Sequence, residues 1–289
     1  MSPKASTIQW DRNTSFLLKG SPGFGKTIAA CSAAIYGDVF LAYIDKRAPV
    51  EVLTYFKTHR PELLERIEYE CYGSHNINDY LNKLIKLQSD CRYAAVITDS
   101  VTSLTSAAVN WSMGFRDPKG GKKDKVANNT PQIIPDWDEY KVETSLVTQA
   151  LDICKMLNTI NIWTAHPLPT MRVEGNSGRV DSITKSSSIV SYGAKVGAIV
   201  PGAFSEVYHF GRQGSKRIVW TDMVGDDFAR TSLLLPKSFD ITDKLFFEVW
   251  EELVKQGMET GGLNEVKSSN NVLSVDFGKE NSGPSKWKV

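Results

Sequence analysis

The stretch Gly20-Ser21-Pro22-Gly23-Phe24-Gly25-Lys26-Thr27 constrains this chain more than any other, because its glycines, lysine and threonine stand at fixed spacing between two regular elements. Ser15 to Leu18 before it reads as an apolar strand, and Lys26 to Tyr36 reads as an Ala-rich helix. The glycines let the backbone curl so that successive N–H groups face one point, with the following helix adding positive potential there. Lys26 then reaches the β- and γ-phosphates of a nucleotide, and the Thr27 hydroxyl is a ligand for Mg²⁺. The eight residues fit G-x-x-x-x-G-K-[ST] at every position, so all of Gly20 to Thr27 is expected to cradle ATP with Mg²⁺.

The rest of the chain alternates short β-rich runs with longer helical patterns, the mark of an α/β fold with a mostly parallel central sheet. Strands are expected at Val39 to Ile44, Tyr93 to Thr98 and Ile160 to Ala165, and helices at Pro49 to Phe56, Ile77 to Leu87, after Asp99, and at Trp137 to Asn158. Two long Gly-, Pro- and Ser-rich stretches, 112–136 and 167–191, interrupt the pattern. Loops of that length inside a compact domain usually carry function or disorder. Glu206 to Phe210 and Arg217 to Thr221 flank Gly211-Arg212-Gln213-Gly214 and predict a late hairpin. A C-terminal helix follows, opened by Thr242 and ended at Gly257. Residues 1–12 read as an extension, 13–258 as the nucleotide-binding core and 259–289 as a disordered tail.

Asp99 ends the apolar run from Tyr93 to Thr98, at the strand tip where a P-loop needs a carboxylate for its Mg²⁺. The competing reading is that Asp99 or Ser100 merely caps the next helix. The four cysteines, Cys31, Cys71, Cys91 and Cys154, are scattered without metal-ligand spacing, and the four histidines are dispersed too. With 41% hydrophobic and 23% charged residues and a net charge of +1, the 289 residues look like a soluble globular protein. No apolar run is long enough for a membrane span, and the expected location is cytoplasmic. Near-neutral charge also excludes a polyelectrolyte that coats nucleic acid, so any such site is a local patch.

At Asp99-Ser100-Val101-Thr102-Ser103-Leu104 the chain resembles the RecA/Rad51-like branch of P-loop ATPases, whose third strand ends in Asp-Ser before small and apolar residues. It is most similar in kind to the short phage-encoded RecA-like ATPases of the single-strand annealing type. The resemblance adds a Thr164-Ala165-His166 strand end and a late Arg230 leading to Leu235-Pro236, and covers roughly residues 13 to 255. It implies a RecA-like P-loop core in which His166 senses the γ-phosphate. The departure lies after the second strand, where the family has Asp-x-Glu and this chain has Asp45-Lys46-Arg47. Asp45 or Glu51 is then expected to replace the glutamate that activates water, or hydrolysis is slow.

The family also places two DNA-lining loops where the two irregular stretches lie. The first stretch holds Arg116, Lys119, Lys122, Lys123 and Lys125 near Trp111 and Phe115; the second holds Arg172, Arg179 and Lys185. Cations neutralise phosphates and aromatics stack on unpaired bases, so single-stranded DNA is the expected partner. The resemblance further implies a ring or filament of identical chains, in which Arg217 or Arg230 reaches a neighbour's nucleotide. The tail is a place for a single-strand binding protein to attach. Other readings are a nucleotide-gated assembly without turnover, a packaging motor or helicase, and a small-molecule kinase.

Overall fold

The computed structural model describes residues 14–45, 47–114, 137–167, 189–191, 193–223 and 228–259, with Pro135 and the backbone of 126–127, 130–131, 172–174 and 180–183. In chain order the first half gives β1 (Ser15–Gly20), α1 (Lys26–Cys31), β2 (Val39–Tyr43), α2 (Val50–His59), α3 (Pro61–Leu64), β3 (Ile67–Cys71), α4 (Ile77–Ser89), β4 (Ala95–Asp99) and α5 (Val101–Met113). The second half gives β5 (Val126–Ala127), β6 (Thr130–Pro131), α6 (Trp137–Lys155), β7 (Ile160–Ala165), β8 (Arg172–Glu174), β9 (Val180–Ile183), α7 (Ala194–Gly202), β10 (Glu206–Gln213), β11 (Lys216–Trp220), β12 (Ser238–Asp240) and α8 (Phe246–Glu259).

Eight strands form one sheet in the order β12-β11-β10-β1-β7-β4-β2-β3. All neighbours from β10 to β3 run parallel, and the β10–β11 and β11–β12 pairs are antiparallel, so β11 alone in this sheet is reversed. The P-loop strand β1 is separated from the acid-bearing β4 by β7. The expected α/β fold with a mostly parallel central sheet, a late β-hairpin and a C-terminal helix is the observed one. Parallel strands buried on both faces read as continuous apolar runs, and β1, β4 and β7 do so.

Alternation along each strand sorts the core into two layers. Phe16 and Leu18 face α1, α2 and α8, whereas Leu17 faces the opposite layer with Trp163 and the helices α4 to α7. Aromatic edges hold the first layer: Phe16 lies 5.2 Å from Phe247 and 5.3 Å from Trp250, both near perpendicular. Trp250 Nε1 donates to the Tyr208 hydroxyl at 3.0 Å, and Tyr208 donates to the fully buried Glu206 at 2.7 Å. Thr231 Oγ1 at 2.6 Å and Ser232 N at 3.0 Å also donate to Glu206, so the carboxylate is satisfied by neutral donors.

Several expectations are corrected at the edges. The first helix changes to 3-10 geometry over Ser32–Tyr36. The hairpin turns at Gly214-Ser215, so β10 runs to Gln213. Gly211 instead makes room for Trp220, whose ring would stand 2.6 Å from an added Cβ. The edge strand β3, the short β12, α3 and the Pro201-containing α7 escaped the pattern reading. Cys31 and Cys154 are buried free thiols. Residues 1–12 and 260–289 lie outside the described residues.

The aromatic layer gives a stability prediction. Phe247→Ala removes a side chain that contacts Phe16, Tyr36, Phe246 and Trp250, and it is expected to cost about 3–5 kcal/mol. Chemical denaturation followed by tryptophan fluorescence reads this directly, and a loss below about 1 kcal/mol would contradict the packing described.

Candidate functional site: the P-loop cavity

Parallel strands leave a crevice outside their carboxyl ends, and ligands of open α/β sheets bind there. At that edge lies a cavity of about 330 Å³ lined by Gly23, Gly25, Lys26, Thr27, Asp99 and His166, with Tyr43, Asp45, Glu51 and Ser103 on its walls. Pro22 also lines it. Ser21 contributes its carbonyl to the Lys26 contact, and Phe24 packs partly buried on the α1 layer.

The loop's shape depends on glycine at three points. Gly23 and Gly25 have φ of 79° and 82°, in the left-handed region that other residues enter at a cost. Gly25 caps α1 there without a side-chain bond, leaving the first amides of the helix facing the cavity. At Gly20 the limit is space, since an added Cβ would stand 2.5 Å from the carbonyl oxygen of Phe210 on β10.

Lys26 is 6% exposed, and its ammonium donates to the carbonyls of Gly20 at 2.7 Å and Ser21 at 3.0 Å. Burial pushes its pKa down to about 8, and the nearby Asp99 opposes that shift. Asp99 binds two hydroxyls: Thr27 Oγ1 donates at 2.6 Å, and Thr164 Oγ1 on β7 donates to the other oxygen. The helix-cap reading of Asp99 is replaced. Ser100 is the cap of α5, with its hydroxyl accepting from Ser103 N at 3.1 Å. That frees Asp99 for the strand tip beside Thr27.

His166 joins the same cluster. Its Nδ1 lies 3.2 Å from Gly20 O and 3.4 Å from Lys26 Nζ. The Gly20 carbonyl asks Nδ1 to donate and the Lys26 ammonium asks it to accept, so the two contacts call for different tautomers. Burial and then the Lys26 charge lower the imidazole pKa, against smaller raising effects from Gly20 and Asp99. His166 N in turn donates to Thr102 Oγ1 on α5 at 3.2 Å.

A hydroxyl and a carboxylate 2.6 Å apart are hard-oxygen donors of the kind that would suit Mg²⁺, and Thr27 and Asp99 are the residues that would hold it. Among the described residues there is no cluster of three or more His, Cys, Asp or Glu. Asp45 and Glu51 both reach the cavity, but differently. Asp45 accepts the Arg47 amide at 3.1 Å in a tight turn, whereas Glu51 stands exposed in the first turn of α2 and makes no hydrogen bond or ion pair with a described residue. Thr164 and Thr102 were missed from sequence. The signal was present in Thr164, which precedes His166 by two on a strand whose neighbours are otherwise apolar.

The arginine candidates separate. β10 continues three residues past Phe210, the partner of Gly20, so the hairpin with Arg217 projects beyond the P-loop edge. Arg230 pairs with Val207 near the start of β10, at the other end of the strands. Its guanidinium donates to Phe204 O and Gly202 O, closing the end of α7. This is a structural tie that holds the guanidinium away from the chain's own P-loop edge. Arg116, Lys119, Lys122, Lys123, Lys125, Arg179 and Lys185 lie outside the described residues, as does the Arg172 side chain. Among the described residues no helix is long and apolar enough to cross a membrane.

The depressed Lys26 pKa predicts how binding depends on pH. The free protein loses the Lys26 proton near pH 8, and phosphate draws it back, so binding above pH 8 takes up a proton. Affinity for ATP with Mg²⁺ is expected to be flat below pH 8 and to fall by up to about tenfold per unit above it. Calorimetry in buffers of different ionisation heat measures both; constant affinity across about pH 7 to 9.5 would sink the assignment.

No family model matches the chain, and no curated protein matches it in sequence. One matching solved structure, a prototypical ATPase from the type III secretion system of pathogenic bacteria, has 14% identity and a TM-score of 0.43. The match covers 69% of this chain and 52% of that one, so the chain spans about half of that protein's length.

Proposed function

We propose that the chain is a RecA-like, Mg²⁺-dependent ATPase that acts on single-stranded DNA as a ring or filament, in recombination, annealing or repair of the phage type. The observation that carries the nucleotide part is the convergence of Lys26, Thr27 and Asp99 on one cavity at the sheet's carboxyl edge. Bound Mg²⁺ would neutralise charge on the β- and γ-phosphates. Lys26 grips the γ-phosphate, Thr27 and Asp99 fix the metal side, and His166 senses whether the γ-phosphate is present. The cation-rich stretch with Lys122, Lys123 and Lys125 supports the DNA part.

Glu51 is the residue we assign to water, because its carboxylate faces the cavity with no competing bond while Asp45 is held by the Arg47 amide. It takes a proton from water as the water oxygen attacks the γ-phosphorus; the bond to the β–γ bridging oxygen breaks and ADP leaves. Arg47 favours a second reading, a nucleotide-gated assembly without turnover, since a cation stands where the family has its glutamate.

Phosphate release separates the two. With Lys26→Ala as the blank, the wild-type chain should release phosphate faster, and faster still with single-stranded DNA. A rate equal to the blank's in both conditions removes the ATPase and leaves the gated assembly. Glu51→Gln should slow release by about a hundredfold with nucleotide affinity unchanged, and Asp45→Asn should do much less. For DNA, replacing Lys122, Lys123 and Lys125 with alanine should lower the slope of log affinity against log salt by about 2. An unchanged slope counts against that loop as the DNA site.

A further inference from the structure

The outer face of α6 carries a groove of about 1070 Å³, bounded on its other wall by Gly193 and Lys195. Its ends are apolar and open: Trp137 is 74% exposed and Met156 is 65% exposed. Residues at helical spacing of three and four form one straight stripe here, about 28 Å long at ~1.5 Å per residue. The stripe is self-complementary about its midpoint, between Leu146 and Val147. Residues equidistant from that point pair by chemistry: Trp137 with Met156, Lys141 with Asp152, and Ser145 with Thr148.

We propose that this face is where two copies of the chain associate, α6 packing antiparallel on α6 across a twofold axis at the stripe's midpoint. An isologous interface requires that residue i meet residue j while j meets i, and an antiparallel pair of this stripe does that at each step. The indole of each Trp137 then covers the thioether of its mate's Met156, a favourable sulfur–aromatic contact. Each Lys141 meets an Asp152 carboxylate, and this happens twice per dimer. Small Ser145 and Thr148 at the centre let the helix axes approach to the usual ~8–10 Å.

Lys141 and Asp152 are exposed and held only by pairs with their own helix, Lys141 with Asp138 at 3.2 Å and Asp152 with Lys155 at 3.4 Å. Surface pairs of that kind contribute little, so re-pairing across the axis costs almost nothing. Lys195 adds a cation outside the twofold pairing and is left facing solvent at the rim. A contact confined to one helix face belongs to the weak, transient class. It is distinct from the head-to-tail contact that a ring or filament uses, and it involves no residue that lines the P-loop cavity.

Sedimentation velocity of the full chain without nucleotide tests it, over about 1–100 µM. A monomer–dimer equilibrium is expected. Lys141→Asp and Asp152→Lys alone should each raise the dissociation constant about tenfold or more, because like charges then face each other twice. The double variant carrying both reversals should return to within about threefold of the wild type. Thermal melts confirm that the surface variants fold. A monomer at every concentration, a dimer indifferent to the single reversals, or a double variant no better than the singles would each overturn the proposal.

Discussion

Asp99 accepts one hydroxyl from Thr27, at the start of the helix behind the P-loop, and another from Thr164 on β7. The two bonds tie together three parts of the chain that are far apart in sequence: the loop's helix, the tip of β4 and the strand between. Hydrogen bonds to a charged acceptor contribute about 1.5–3 kcal/mol each in net terms, and here they also fix direction. With the carboxylate so held, Lys26 folds back on the Gly20 and Ser21 carbonyls and His166 closes over Gly20.

Much of this was legible in the sequence because it depends on local rules. The P-loop needs its glycines at the left-handed positions Gly23 and Gly25 and at the crowded Gly20, and those requirements are written residue by residue. Runs such as Tyr93 to Thr98 announce buried parallel strands by composition alone. What was not legible depends on neighbours supplied by the fold. β3 is an edge strand with one side to solvent, and Ile67-Glu68-Tyr69-Glu70-Cys71 carries too few apolar residues to declare itself. α7 hides behind Gly and Pro, and it forms because Val196 and Val200 find a core to enter. Thr164 looked like one more β-branched residue until β4 placed Asp99 beside it. The tie of Arg230 to the end of α7 was equally hidden, because its partners are backbone carbonyls about thirty residues upstream.

The two helical layers divide the labour. One carries α1, α2 and α8, sealed by aromatic edges and by the Glu206–Tyr208–Trp250 chain of hydrogen bonds. The other carries α4 to α7 and turns outward, with α6 burying Leu146, Val147, Ala150 and Leu151 while presenting its opposite side to solvent. The same helix thereby serves the core through one stripe and remains available through the next. A 3.6-residue repeat permits this division without strain.

The burial of β1 has a kinetic corollary. Phe16, Leu17 and Leu18 are fully buried and alternate between both layers, in a strand hydrogen-bonded on both sides. Such a strand belongs to the last cooperative unit to open, and its amides exchange only when the whole domain unfolds. The P-loop starts from that unit at Gly20 and rejoins it through α1, while the residues between are connected by two freely turning glycines. Rearrangement of the loop and opening of the fold therefore sit on separate timescales. A loop built this way can rearrange without drawing on the free energy that holds the protein together.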